Sequence, residues 1–84
     1  MLKNKTILVT GGTGSFGKKF ISLILEKFPT IKKLIIFSRD ELKQFEMMND
    51  FKNKKNSEKL RFFLGDIRDR ERLDVAFQDV DIVI

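Results

Sequence analysis

Ile7-Leu8-Val9-Thr10-Gly11-Gly12-Thr13-Gly14-Ser15-Phe16-Gly17 is the stretch whose reading decides the fold. An apolar, β-prone run enters a glycine-rich turn, and a helix-like pattern follows at once in Phe20, Ile21, Leu23, Ile24, Leu25 and Phe28. Strand, glycine turn and helix in that order is the context in which such a motif means dinucleotide binding. A diphosphate must approach the backbone closely, and the helix N-terminus offers it unpaired N–H groups and a positive dipole end. Two registers fit. Gly12-x-Gly14-x-x-Gly17 is the Rossmann spacing, and Gly11-x-x-Gly14-x-x-Gly17 is the wider spacing of short-chain dehydrogenase/reductase proteins. Thr10 and the Gly11-Gly12 pair favour the second. The competing explanation is a strand–helix turn that needs glycine for geometry alone.

Outward from this turn the pattern repeats. Thr6 to Thr10 reads as a first strand buried on both faces, and Ser15 to about Phe28 as a helix stopped by Pro29. Leu34 to Phe37 reads as a second strand. Asp40 to about Phe51 reads as a second helix, its apolar face set by Leu42, Phe45 and Met48. Ser38 and Glu41 have the spacing of a capping box at its start. Asn53 to Ser57 is a polar loop, Leu60 to Leu64 a third strand, Asp69 to Phe77 a short helix, and Asp81 to Ile84 opens a fourth strand. The expected fold is α/β: a Rossmann-like parallel sheet in the order βαβαβαβ, the N-terminal half of a doubly wound nucleotide-binding domain. Residues 1–84 read as the truncated N-terminal part of such a domain, because the last apolar run meets no cap or breaker.

Composition narrows the chemistry. The 84 residues contain no cysteine, histidine or tyrosine, so no disulfide, thiolate metal site or imidazole base is available. The net charge of +5 is spread over scattered lysines, with one cluster at Lys52, Lys54 and Lys55. The nine phenylalanines occupy core-like positions and do not interleave with that cluster, which argues against a nucleic-acid surface. No secretory segment or membrane-length apolar run is visible, so a cytoplasmic protein without a membrane partner is expected.

The end of the second strand is where such folds meet the adenosine ribose. Here it reads Ser38-Arg39, about 20 residues past Gly17. Arg39 suits a phosphate in a planar fork, and Lys43 follows one helical turn later. The pair favours the 2′-phosphate of NADP over NAD. Asp40 is open between an NAD-selecting acid and a helix cap. Asp66, with Ile67, is open between contact with adenine and a cap of the third helix, for which Asp69 is the better candidate. Asp79 and Asp81 read as loop and strand-start residues.

Three blocks together carry a resemblance: Thr10 to Gly17, Phe37-Ser38-Arg39-Asp40-Glu41-Leu42-Lys43-Gln44-Phe45-Glu46-Met47, and Arg61 through Gly65-Asp66-Ile67-Arg68-Asp69 to Leu73. They look like UDP-N-acetylglucosamine 4,6-dehydratases, extended short-chain dehydrogenase/reductase enzymes of bacterial sugar-nucleotide metabolism. The resemblance is nearest to the C5-inverting type that begins pseudaminic acid synthesis for flagellin glycosylation; related capsule-forming enzymes share the pattern. The glycine motif belongs to a whole superfamily, whereas Ser-Arg-Asp-Glu-Leu-Lys-Gln is far more specific.

The glycine motif makes Gly11 and Gly17 cofactor-binding candidates, and the resemblance implies NADP held at the diphosphate turn by Thr13, Gly14, Ser15 and Phe16. It places Ser38, Arg39, Asp40 and Lys43 at the 2′-phosphoribose and Asp66 and Ile67 at adenine. It further implies UDP-N-acetylglucosamine as substrate and a homo-oligomer for the full-length protein. In the family, hydride passes from sugar C4 to the cofactor, water leaves across C5 and C6, and hydride returns to C6. The Tyr-x-x-x-Lys pair of that family lies beyond residue 84, so this chain alone is expected to be inactive. A related NADP-dependent epimerase or reductase, and a nucleotide-binding module without catalysis, are the alternatives.

Overall fold

The structure is a computed structural model and describes residues 2–11 and 13–84. Four strands, β1 (Thr6–Thr10), β2 (Lys33–Ser38), β3 (Leu60–Leu64) and β4 (Ile82–Val83), form one sheet in the order β3-β2-β1-β4. All neighbours are parallel, with Ile7 opposite both Leu34 and Ile82, and Leu34 opposite Leu60. Three helices supply the crossovers: α1 (Ser15–Lys27), α2 (Glu41–Phe51) and α3 (Arg70–Phe77). The expected βαβαβαβ order and Rossmann-like sheet are therefore present.

Side-chain alternation divides the sheet between two cores. Ile7, Val9, Leu34, Ile36 and Leu60 face Ile21, Ile24 and Leu25 of α1 and Met47 and Phe51 of α2. The alternate residues Leu8, Ile35, Phe37 and Phe63 face Leu73 and Ala76 of α3. Both faces are used because the chain reverses its winding between β1 and β4, and in open α/β sheets the crevice at such a reversal receives ligands. Each aliphatic side chain fully buried this way is worth roughly 1.5–3 kcal/mol relative to exposure.

Several local expectations change. The buried face of α2 is Gln44, Met47 and Phe51, whereas Leu42, Phe45 and Met48 are exposed. These two stripes are offset by roughly a third of a turn around the helix, and the glutamine obscures the buried one. Ser38 does not cap α2: it remains the last residue of β2, and Asp40 caps the helix through Oδ1, which accepts from Lys43 N at 3.0 Å. Nor are the phenylalanines mostly core. Only Phe37 and Phe51 are buried, while Phe16, Phe28, Phe45 and Phe77 are exposed. The polar loop ends in a short 3-10 turn, Ser57–Lys59, preceded by Asn56 in the left-handed region. The Asn56 amide reaches back to the Leu25 carbonyl near the end of α1, which explains an ordered turn where composition suggested only a loop. Asp81 accepts from Thr6 N at 2.8 Å and so ties the start of β4 to β1, a strand-start role as read.

Candidate functional site

The carboxyl ends of β1, β2 and β3 enclose a cleft of about 600 Å³ lined by Thr10, Gly11, Thr13, Phe37, Ser38, Arg39, Asp40, Lys43, Gly65, Asp66, Ile67 and Arg68. That volume lies within the range of small-molecule sites. The strand ends are stitched together beneath it: Gly11 N donates to Phe37 O at 3.0 Å, and Gly65 N to Ser38 O at 2.8 Å.

The glycines serve different ends. Gly11 has φ +64°, a backbone state that side chains resist. Gly65 packs so closely that an added β-carbon would lie 2.8 Å from Arg72 Cγ and 3.0 Å from Phe37 Cζ. Gly14 has neither reason. Its φ of −78° and ψ of 177° suit any residue, and a β-carbon there would meet nothing within 4 Å. Among the described residues, the fold itself does not require glycine at 14, so the geometry-only explanation fails at that position. Gly17 is buried within α1, and Gly12, the first glycine of the narrower register, lies outside the described residues.

Gly14 is the N-cap residue of α1 and contributes no side-chain hydrogen bond; the first turn also holds no acid. By contrast, α2 and α3 are closed by Asp40 and Asp69, the latter accepting from Arg72 N at 3.2 Å. The free N–H groups and positive end of a helix favour an anion. Of the expected diphosphate residues, Gly11 and Thr13 line the cleft, whereas Gly14, Ser15, Phe16 and Gly17 lie outside its lining, and Phe16 is 81% exposed and stacked on Phe20.

Across the cleft, Ser38 is buried at the end of β2 and Arg39 is largely exposed, with Lys43 one turn into α2. Asp66 stands between two guanidinium groups. Its Oδ2 lies 2.7 Å from Arg68 Nη2 and 3.4 Å from Arg39 Nη1. Its Oδ1 accepts from Arg68 N at 2.9 Å and from Arg68 Nε at 3.1 Å. Hydrogen bonds from the Arg68 side chain and backbone, with the nearby charges of Arg68 and Arg39, hold this carboxyl well below the usual carboxylate range. Asp66 in turn raises the Arg68 guanidinium. Asp66 thus caps no helix; Asp69 does. Ile67 is 60% exposed at the cleft wall, an apolar side chain open to a flat ring.

Two participants escaped the sequence reading. Arg68 was hidden in the block after Gly65, although a basic residue two positions past an aspartate is placed to donate back to it. Gln44 stands out in the sequence only as part of a motif, yet its amide bonds the ends of both β2 and β3.

A parallel sheet that reverses its winding, a glycine at 14 with open side-chain space, and a cleft at the strand ends carrying Arg39, Lys43 and Arg68 are features of the nucleotide-binding α/β class of proteins. A profile described as polysaccharide biosynthesis protein matches residues 7–84, and the chain belongs to that family. It is 56% identical over 84 residues to a UDP-N-acetylglucosamine 4,6-dehydratase (inverting) of Campylobacter jejuni, covering all of this chain and 24% of the relative. It is 44% identical over 85 residues to a UDP-glucose 4-epimerase of Rickettsia bellii, covering 99% of this chain and 24% of that enzyme. A crystal structure of dTDP-glucose 4,6-dehydratase from Bacillus anthracis in complex with NAD superposes with a TM-score of 0.75 at 28% identity, over 94% of this chain and 25% of the other. The chain thus spans about a quarter of the length of these relatives. Among the described residues, no helix is long and apolar enough to cross a membrane.

Proposed function

We propose that residues 1–84 form the cofactor-binding N-terminal portion of an NADP-dependent sugar-nucleotide 4,6-dehydratase acting on UDP-N-acetylglucosamine. The observation that carries the cofactor is Gly14, whose side-chain space is open beside an uncapped helix. The likeness to the Campylobacter enzyme supports the substrate. The B. anthracis neighbour, bound to NAD, supports a nicotinamide dinucleotide. The phosphate-bearing form follows from the donors Ser38, Arg39 and Lys43 on the cleft wall.

The residues fit such a group. In this reading Gly11, Thr13, Gly14, Ser15, Phe16 and Gly17 hold the diphosphate, the first turn of α1 supplying N–H donors. Ser38, Arg39, Asp40 and Lys43 surround the 2′-phosphoribose, where Arg39 and Lys43 carry charge and Asp40 fixes the turn. Asp66 offers its carboxylate to the adenine amine, and Ile67 covers the ring. When bound, the nicotinamide supplies reversible hydride transfer; the protein orients it and excludes water. The full-length protein acts in the cytoplasm as a homo-oligomer on this reading, with neither nucleic acid nor membrane as partner.

The test uses the full-length polypeptide with UDP-N-acetylglucosamine, followed by NMR. A 4-keto-6-deoxy sugar nucleotide is expected. A C4-epimerised sugar would instead establish the epimerase reading, which the Rickettsia similarity favours as second choice. For the cofactor, Arg39→Ala should weaken NADP⁺ by roughly ten- to a hundredfold, the loss of a hydrogen bond to a charged group, and NAD⁺ far less. Equal losses measured by calorimetry refute the NADP assignment.

A further inference from the structure

Gln44 lies on the inward face of α2 and is only 6% exposed. Its Nε2 stands 3.2 Å from Ser38 O, 3.1 Å from Phe63 O and 3.0 Å from Ser38 Oγ. Two of these partners are backbone carbonyls, which only accept, so the atom between them must be the amide NH₂. An amide nitrogen does not accept in return. The NH₂ has two hydrogens for three acceptors, so one is shared; Ser38 Oγ can only accept from Gln44, and its own hydrogen has to point elsewhere. Ser38 lines the cleft, and among the described residues no acceptor takes that hydrogen.

Each nearby carboxylate is tied to a donor of the chain: Asp40 Oδ1 accepts from the α2 backbone, and Asp66 accepts from Arg68 and Arg39. Ser38, Arg39 and Lys43 place a hydroxyl donor, a guanidinium and an ammonium beside the end of β2, with Asp40 among them on the cleft wall. A ribose 2′-hydroxyl can accept one such bond but also carries a hydrogen that needs an acceptor, whereas a phosphate dianion offers acceptors alone, and several of them.

We propose that Gln44 is a positioning residue: it fixes the Ser38 hydroxyl as a donor into the cleft, so that this recess selects a 2′-phosphate over a free ribose hydroxyl. The proposal rests on the NADP reading and assigns the discrimination to a buried side chain outside the cleft lining.

The experiment is a double-mutant cycle in the full-length polypeptide, with dissociation constants for NADP⁺ and NAD⁺ from calorimetry and a thermal melt for each variant. Ser38→Ala and Gln44→Met should each weaken NADP⁺ by about tenfold, as expected for a donor lost to a charged group, with NAD⁺ changed less than about threefold. The double variant should be no worse than Ser38→Ala, because both changes remove one interaction. Equal weakening of both cofactors by Gln44→Met, or additive losses, would mean that Gln44 is merely structural. If Gln44→Met does not fold, Gln44→Glu replaces it: ionisation of the new carboxyl captures the Ser38 hydrogen, and NADP⁺ affinity should fall as pH rises while NAD⁺ stays level. If neither Gln44 variant folds, Ser38→Ala alone decides, and an unchanged ratio of the two affinities overturns the proposal. Arg39→Ala is the control. Selectivity lost with Arg39 but retained in the Ser38 and Gln44 variants defeats only this inference; selectivity absent in all of them defeats the NADP reading itself.

Discussion

Helices α1 and α2 begin at the same edge of the sheet and cover the same face, yet they are built on opposite plans. The start of α1 has a glycine N-cap, no side-chain cap and no acid in its first turn. The start of α2 is closed by Asp40 and followed by Glu41, which complements the helix dipole. An isolated helix gains from the second arrangement. Among the described residues, no side chain accepts from the leading N–H groups of the first, which is tolerable where solvent or a ligand anion supplies the missing partner. The difference teaches that Gly14 answers no need of the chain's own packing, as the proposed diphosphate role requires, whereas Asp40 closes the helix it begins.

The comparison breaks most visibly at Gly14. Since backbone and packing both accept a side chain there, Gly14→Val should remain folded. Dinucleotide affinity should nevertheless fall by more than about a hundredfold, equivalent to some 2.7 kcal/mol, because the added methyls occupy the diphosphate path. Calorimetry with circular dichroism separates the two effects. A folded variant with unchanged affinity would falsify the diphosphate role of this turn.

The contrast also shows what the sequence could reveal. Along α1 the apolar pattern holds for Ile21, Ile24 and Leu25, which are buried with no polar residue among them, while Leu23 and Phe28 of the same pattern are exposed. Along α2 the visible stripe Leu42-Phe45-Met48 is exposed, and the true inward face includes Gln44. Periodicity weighs hydrophobicity and cannot register that an amide buried against two strand ends is satisfied. The strands and their parallel order were legible because each is a short apolar run between turn signals. Cleft residues at strand ends were legible for the same reason. Arg68 and Gln44 were not, since their roles depend on hydrogen bonds to residues on other segments or across a turn.

The α2 register gives the second prediction. Met47 is fully buried in the core, so Met47→Ala should destabilise by about 2–5 kcal/mol. Phe45 is 61% exposed, so Phe45→Ala should stay within about 0.5 kcal/mol. Urea melts of the full-length protein decide. The reverse ranking would restore the face drawn from hydrophobicity alone.

Asp40→Ala tests the closed plan of α2 at smaller scale. Loss of the bond to Lys43 N should cost about 1 kcal/mol in the same melts. The preference for NADP⁺ over NAD⁺ should persist, because Asp40 serves the helix and the discriminating groups are donors. A variant that came to favour NAD⁺, or lost no stability, would show that the carboxylate acts on the ribose and not on the helix.

The smallest expected effect concerns Asp66, which faces Arg39 across the gap between the end of β2 and the loop before α3. Its carboxyl is held below the ordinary 3.8, first by hydrogen bonds from Arg68. A depressed carboxyl contributes stability that is complete above its unfolded value and is lost as pH falls through the folded one. The stability difference between the native protein and Asp66→Asn should therefore be level from about pH 8 to 5. It should shrink only as the solution becomes more acidic than the ordinary carboxylate value. Both arginines are largely exposed, so the difference should be small and should diminish with salt. A difference that titrated between about pH 5 and 7 would mean that Asp66 is not held by the arginines in solution. Arg39 would then be free of it before any phosphate arrives, and the cationic rim would owe its placement to α2 alone.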